Sequence, residues 1–166
     1  EWGDDCVLHL NGIFGFAIWD EKKRRLLIAR DHFGVKPLYF YDDGHGLFFA
    51  SEIKAIFLHP NVERAISEIG LEHALTFGFI PSPFTLFRGI HRLAPGHRIV
   101  VEKSQVRTER YWHPVPQLIR HCSEKELIRE IRVHLEAAVE RQMISDVPVG
   151  ALLSSGTDST ALVTLM

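Results

Sequence analysis

The stretch from Asp146 to Met166 constrains this chain more than any other. Val149 to Leu153 is a short, mostly apolar run after Pro148, the pattern of a buried strand. Ser154 to Asp158 is small and polar with Gly156 inside it, the pattern of a loop. Asp158 or Ser159 can cap a helix that starts there and turns Ala161, Leu162 and Leu165 to a core. Strand, small-residue loop and helix together aim free backbone N–H groups at an anion. The helix dipole adds about half a positive charge at that end. The pattern predicts a phosphate cradle, with an ordinary strand–turn–helix corner as the bland alternative.

Three common phosphate or nucleophile motifs do not fit. A Walker loop requires Gly-Lys-Ser/Thr, and no lysine lies here. A hydrolase elbow requires Gly-x-Ser-x-Gly, and Leu152 stands where its first glycine belongs. A dinucleotide fingerprint needs more than the one glycine present in the loop. What remains, Ser154-Ser155-Gly156-Thr157-Asp158-Ser159, resembles the Ser-Gly-Gly-x-Asp-Ser pyrophosphate loop of the ATP pyrophosphatases. The preceding Ser145-Asp146-Val147-Pro148-Val149-Gly150 is similar to the lead-in found in glutamine-dependent asparagine synthetases. The resemblance implies ATP contacts at Leu153, Ser154, Ser155, Gly156, Asp158 and Ser159, with Mg2+ accompanying the triphosphate. Ser155 departs from the family's glycine. A side chain there crowds the pyrophosphate, and serine is strained if the position needs positive φ.

Composition narrows the class. The chain has 166 residues, enough for one domain with a sizeable core, or one and part of another. It begins at Glu1 and ends inside an apolar helical pattern, so both ends are expected to be cut. Hydrophobic content of 46% and charge of 24% are those of a soluble globular protein. A net charge of −2 gives no polyanion signal. The basic run Lys22-Lys23-Arg24-Arg25 is short and without interleaved aromatics, so it reads as a solvated turn, with no nucleic-acid partner. Cys6 and Cys122 lie far apart, which argues against a disulfide framework or zinc knuckle and fits a reducing compartment. The histidines, among them His9, His32, His45, His59 and His73, show no ligand spacing. No apolar run approaches the ~18 residues of a membrane span.

In chain order, Glu1 to Leu10 reads as the end of a helix stopped at Asn11-Gly12. Ile13 to Asp20 reads as a strand buried on both faces, joined by the charged turn Glu21–Arg25 to a return strand at Leu26–Ala29. Gly34 permits a bend, and Pro37 opens a strand over Leu38–Tyr41. Asp42-Asp43-Gly44 turns the chain, Leu47–Ala50 returns, and Ser51 can cap a short helix through Lys54, Ala55 and Leu58. Ser67 opens a helix through Leu71, Ala74, Leu75 and Phe77, ended by Gly78. A Pro-punctuated extended segment follows, then the turn Leu93–His97 and a hairpin of Arg98–Glu102 with Val106–Tyr111. Trp112 to His121 carries Pro114 and Pro116 and reads as a boundary. Ser123 and Glu126 form a capping box for a helix with Leu127, Ile131, Leu135 and Val139 on one face.

Three of these stretches together resemble the second half of a class II glutamine amidotransferase domain. They are Phe14-Gly15-Phe16-Ala17, then Arg30-Asp31-His32-Phe33-Gly34-Val35-Lys36-Pro37-Leu38-Tyr39, then Phe49-Ala50-Ser51-Glu52-Ile53-Lys54-Ala55. The turn Leu93-Ala94-Pro95-Gly96-His97 is similar to one in asparagine synthetases. The implied fold class is α+β followed by α/β: the second half of an N-terminal-nucleophile αββα glutaminase domain, then the first helix, strand and loop of an α/β ATP pyrophosphatase domain. The expected layout is 1–112 amidotransferase, 113–122 linker and 123–166 synthetase. On the glutaminase side Arg30, Asp31 and Glu52 are the candidates. Arg30–Asp31 reads better as a salt bridge that fixes the turn than as a catalytic pair. Glu52 either faces the glutaminase pocket or occupies a helix first turn, where a carboxylate is favoured.

The resemblance implies an ATP-dependent, glutamine-hydrolysing asparagine synthetase, cytoplasmic, using glutamine, aspartate and ATP, with room for a homodimer. In that family ATP adenylates the aspartate side chain and ammonia from glutamine displaces AMP. The nucleophile is an N-terminal cysteine, which lies outside this chain, so no catalytic residue is assigned and this piece alone is expected to be inactive. Cys6, within a helix and lacking a free α-amino group, is a poor replacement. Two other readings stand: amidation of a different carboxylate on a sugar or peptide, and a degenerate non-catalytic scaffold.

Overall fold

Alternating apolar residues and a charged turn build the first hairpin, and the rest of the sheet grows from it. In the computed structural model, which describes residues 1–115 and 122–166, β1 (Gly15–Asp20) pairs antiparallel with β2 (Arg25–Arg30). The register runs from Gly15↔Arg30 to Asp20↔Arg25, leaving Glu21–Arg24 as the turn. Asp20 Oδ1 accepts the Lys23 N–H at 3.0 Å and holds that turn. β2 also pairs with β6 (His97–Glu102), which pairs with β7 (Gln105–Arg110), giving a sheet ordered β1-β2-β6-β7. A second antiparallel sheet places β3 (Tyr39–Asp42) between β4 (Leu47–Ala50) and β5 (Ile90–Arg92).

Two compact units divide the chain, Glu1–Pro114 and Val115–Met166. In the first, the period-2 alternation of β3 feeds two cores. Phe40 packs on Ile28, Leu38, Leu93 and Ile99, whereas Tyr39 and Tyr41 pack on Ile56, Val62 and Ile90. Ile28 and Ile99 are fully buried on the two central strands of the larger sheet, so truncating either removes about 2–5 kcal/mol. The expected hairpins appear within a residue or two of their read positions. β1 differs from expectation: it pairs only with β2, and Ile18 and Trp19 are about half exposed, at 50% and 52%. A strand with one neighbour keeps one edge and part of its faces in solvent, whatever its composition.

Helices are short. Gly3–His9 is a 3-10 helix that stops at Leu10 and buries Val7. α1 (Ile53–Ile56) has Glu52 at its N-cap without a side-chain cap, so Ser51 does not cap it as read. α2 (Glu68–Phe77) behaves as expected. The Ser67 hydroxyl accepts the Gly70 N–H at 3.2 Å, and Gly78 closes the helix at φ 73°. The mixed α and β composition with antiparallel sheets matches the first half of the expected fold class.

In the second unit, α3 (Glu124–Gln142) opens on the Ser123/Glu126 capping box. Val139 is buried, while Leu127, Ile131 and Leu135 of the same face stay exposed. The expected strand at Val149–Leu153 is not formed, and Leu152 is 98% exposed. A strand exists only through its ladder, and among the described residues of this unit no other strand offers a partner. α4 (Thr157–Leu165) is capped by Gly156 rather than Asp158 or Ser159. It half-buries Val163 and Leu165, while Ala161 and Leu162 remain exposed. No helix among the described residues is long and apolar enough to cross a membrane.

Gly70 shows how closely α2 seats. A Cβ built there lies 2.1 Å from the Thr85 carbonyl oxygen, a backbone atom that cannot swing away. Thr85 is itself buried, its hydroxyl within reach of the Phe87 and Ile90 carbonyls. In a free helix Gly→Ala stabilises by about 1 kcal/mol. Here Gly70→Ala is expected to reverse that sign and lower stability by about 1–3 kcal/mol through overpacking, read as a lower urea midpoint. A raised midpoint would show that α2 is not held against residue 85.

Candidate functional site

The chemistry-bearing residues fall into two places, one in each unit. In the first unit, β2 ends at Arg30 and the chain bends through Asp31 to Lys36. Arg30 and Asp31 are 5% and 2% exposed, among the most buried polar side chains of the chain. The Asp31 carboxylate accepts three backbone N–H groups: Phe33 at 3.2 Å and Val35 at 2.9 Å on Oδ1, Lys36 at 2.9 Å on Oδ2. Arg30 donates from Nε to the Lys36 carbonyl at 2.7 Å, from Nη1 to Leu93 at 2.5 Å, and from Nη2 to Gly34. What fixes the turn is therefore not the expected ion pair between the two. Each charge is spent on the backbone polar groups of the bend. A carboxylate matches the N–H groups of a tight turn and a guanidinium fork matches carbonyls, so each partner suits the other side of the same loop.

Burial, and next the like charge of Arg92, lower the Arg30 pKa from its ordinary value, while Asp31 and Tyr39 act against them. Tyr111 closes the cluster. Its hydroxyl donates to the Arg30 carbonyl at 2.6 Å, and its ring meets His32 edge-on, with ring centres 5.6 Å apart. His32 also packs edge-on against Trp112 and Phe14. Tyr111 carried no signal in the sequence beyond its place at the end of a strand. Burial, and then the negative charge of Asp31, push its phenol up to about 12.

Glu52 is elsewhere on the surface. Its carboxylate is 61% exposed and pairs with Lys54 Nζ at 2.6 Å. Cys6 sits half-buried in the 3-10 helix with its backbone nitrogen in a peptide bond, so no free amine is available to activate it.

In the second unit, the loop predicted to hold phosphate lies before α4. Ser154 Oγ and Ser159 Oγ are 2.7 Å apart, and Ser154 Oγ accepts the Gly156 N–H at 3.2 Å. Ser159 Oγ lies 3.2 Å from the Ser154 carbonyl and 3.0 Å from that of Gly156. The serines at either end of the motif thus tie the loop to the first turn of α4. The first N–H groups of a helix have no carbonyl partner within it, which leaves donors at this end. A Cβ at Gly156 would stand 3.3 Å from Ser154 Oγ and 3.9 Å from Ser159 Oγ, so glycine keeps the space beside both hydroxyls open. Gly156 has φ −77°, and Ser155 is not among the residues with positive φ. The strain considered for serine at 155 is absent. Leu153, Ser154, Ser155 and Asp158 are exposed and Ser159 is half-buried.

A family model described as a glutamine amidotransferase domain matches residues 1–112. Another, described as asparagine synthase, matches residues 130–166. Over 164 residues the chain is 41% identical to glutamine-hydrolyzing asparagine synthetase 3 of Bacillus subtilis (strain 168), covering 98% of this chain and 26% of that protein. It is 37% identical over 168 residues to a putative glutamine-hydrolyzing asparagine synthetase 2 of Methanocaldococcus jannaschii, covering 99% of this chain and 32% of that one. It is also 31% identical over 170 residues to a protein named amidase chyE in Penicillium rubens, covering 97% of this chain and 24% of that protein. The chain thus spans about a quarter to a third of the length of these curated relatives.

The raised Tyr111 pKa gives an alkaline test of the turn cluster. The folded state holds this proton more tightly than the unfolded chain, whose phenol titrates near ~10. The contribution is therefore full below about pH 10 and lost as pH rises toward about 12. Tyr111→Phe should cost about 1 kcal/mol at neutral pH, from the hydroxyl's lost bond. It should also fall less steeply than the parent between about pH 10 and 12 in denaturant titrations. Parallel curves for the two proteins would refute the coupling.

Proposed function

The chain belongs to the glutamine amidotransferase domain family, and from that premise we propose that it serves an ATP-dependent, glutamine-hydrolysing asparagine synthetase. The observation that carries the reading is the order of two family matches in one chain. An amidotransferase segment at residues 1–112 is followed by an asparagine-synthase segment at 130–166 that contains the Ser154–Ser159 loop. One segment belongs to a system that releases ammonia from glutamine, and the other to one that activates a carboxylate to receive it. The domain division proposed is 1–112, a linker over 113–122, and 123–166. Most of that linker, 116–121, lies outside the described residues.

The proposed nucleotide contacts are Leu153, Ser154, Ser155, Gly156, Asp158 and Ser159. The space kept open by Gly156 and the donors at the start of α4 fit a pyrophosphate group. ATP supplies the adenylyl group that activates the aspartate side-chain carboxylate, with Mg2+ carried on the triphosphate. This chain's part is to bind and orient: the Ser154–Ser159 hydroxyl pair keeps the loop closed on α4 so that its N–H groups converge. Arg30 and Asp31 act as positioning groups. Their polar atoms are bonded to backbone and shape the bend rather than meet glutamine. Glu52, exposed at the start of α1 and paired with Lys54, is the glutaminase-side candidate whose carboxylate lies open to solvent. A cytoplasmic setting, an N-terminal-nucleophile fold for residues 1–112, and assembly as a homodimer complete the proposal. One relative is named an amidase rather than an asparagine synthetase, which leaves room for a second reading in which the amidated acid is not aspartate.

The test uses the complete protein that carries this segment, with glutamine, aspartate, ATP and Mg2+. Asparagine, AMP and pyrophosphate should appear in equal amounts. Pyrophosphate release with another acid and not with aspartate would select the second reading, and none with any acid would overturn the proposal. Calorimetric titration of ATP with Mg2+ should show Ser159→Ala weakening binding about tenfold, a loss of about 1.4 kcal/mol. Ser155→Gly should change it less than about threefold, because no backbone strain is relieved. A large gain for Ser155→Gly would show that the serine side chain obstructs the phosphates.

A further inference from the structure

The basic run Lys22-Lys23-Arg24-Arg25, read from sequence as a solvated turn without aromatics, does not stand alone in the fold; its last member, Arg25, pairs with Asp4 and Glu102. The β1–β2 turn closes at Asp20↔Arg25 and the β6–β7 turn at Glu102↔Gln105. The pairing Arg25↔Glu102 sets the two turns side by side on adjacent strands. Between them is a cleft of about 480 Å³, lined by Trp19, Val101 and the four cations Lys22, Lys23, Arg24 and Lys103. An aromatic ring and a distant lysine have joined the basic run through register alone.

The four cations of this cleft outnumber the carboxylates beside them in the chain, Asp20, Glu21 and Glu102. All four cations are exposed, and among the described residues none of them forms an ion pair. The nearby carboxylates keep their charge, and each has a hydrogen-bonding or ionic partner other than the four cationic side chains. Asp20 Oδ1 accepts the Lys23 backbone N–H, Glu21 Oε2 accepts the Trp19 indole N–H at 2.5 Å, and Glu102 faces Arg25 at 3.8 Å. The Glu21 contact ties the indole by its edge, which leaves its ring surface available. Trp19 is 52% exposed, as open to solvent as Trp2 at 57%. The chain as a whole carries net charge −2, so a local excess of cations stands out.

We propose that this cleft is a nucleotide-binding site, separate from the Ser154–Ser159 loop, that stacks a base on Trp19 and takes the phosphates between Lys22, Lys23, Arg24 and Lys103. Base-on-indole stacking and lysine–phosphate contact are the two interactions such a lining offers. The volume lies within the usual range of about 300–1,000 Å³ for small-molecule sites. An acidic peptide would satisfy the cations but leave the indole without a role, so the nucleotide is the better fit.

The experiment titrates ADP without magnesium into the chain at low salt and reads indole emission together with equilibrium dialysis. Saturable quenching is expected, and Trp19→Phe should abolish it while Trp2 and Trp112 remain. In dialysis the pair Lys22→Ala with Lys103→Ala should weaken binding tenfold or more, and Trp19→Ala several-fold. All these substitutions lie on exposed turns or an edge strand and leave both cores intact. Ser154→Ala with Ser159→Ala should leave the indole signal unchanged, which separates this site from the loop. Raising salt should weaken binding, as expected for exposed charges. Quenching that persists in Trp19→Phe, or dialysis unaffected by the lysine pair, would overturn the proposal. Binding of polyglutamate that needs the lysines, with no ADP binding, would also overturn it and make the cleft an acidic-peptide site.

Discussion

The first unit depends on how two buried charges at the end of β2 are satisfied. Isolated, Arg30 and Asp31 would each cost several kcal/mol to remove from water. Here Asp31 gathers the N–H groups of Phe33, Val35 and Lys36, and its own carbonyl accepts from Gly34 at 3.1 Å and Gly96 at 3.0 Å. Its N–H reaches the Phe14 carbonyl at 2.9 Å. Arg30 collects the carbonyls of Gly34, Lys36 and Leu93. Two consecutive residues therefore tie together the segment leading into β1, the bend into β3 and the turn before β6. The desolvation cost is offset only because the bond set is nearly complete, which makes this junction intolerant of partial loss.

Glycine makes the junction possible at two points. Gly34 has φ 66°, and a Cβ there would lie 2.9 Å from both Arg30 Cζ and Pro95 Cγ. Gly96 has φ 65°, and its Cβ would lie 2.4 Å from the Trp112 carbonyl, a backbone atom. The Gly96 carbonyl in turn accepts from Tyr111 and Trp112 at 2.9 and 3.1 Å. The two left-handed glycines serve different neighbours: Gly34 leaves room for the Arg30 guanidinium, and Gly96 for the Trp112 backbone.

Much of this was legible, and the illegible parts share a cause. Hairpins were readable because strand alternation and turn residues are local, as at Asp42-Asp43-Gly44 and the Ser123/Glu126 cap. The cap at Ser67 and stop at Gly78 were readable for the same reason. The role of Arg30 and Asp31 was half-read. A structural pair was expected, but the partners turned out to be backbone groups up to 63 residues away, as Leu93 is from Arg30, and no composition rule points to those. Tyr111, Thr85 and Gly70 carried no signal, since each matters through contacts that only the closed fold supplies. In the candidate loop the glycine was recognised, but the hydroxyl pair that spans Ser154 and Ser159 was not, because it depends on where α4 starts.

The strand expected over Val149–Leu153 shows the same limit from the other side. Its apolar residues led to the expectation of a buried strand, yet Leu152 and Leu153 are 98% and 64% exposed. Strand propensity describes fit to a pleated, half-buried surface rather than a preference of the backbone by itself. Without a ladder partner the segment has no hydrogen bonds to gain by extending, so α3 and α4 form and the run between them does not. Helices satisfy their backbone internally and survive the lack of neighbours; strands cannot. The loop that the apolar run leads into is therefore held by short-range contacts alone, the Ser154–Ser159 pair and the Gly156 cap. Residues that supply a neighbouring strand would bury the apolar run and fix the direction in which the loop's N–H groups point. The direction of those N–H groups is then coupled to whatever packs on the apolar run, much as the junction at Arg30 couples the bend to the strands around it.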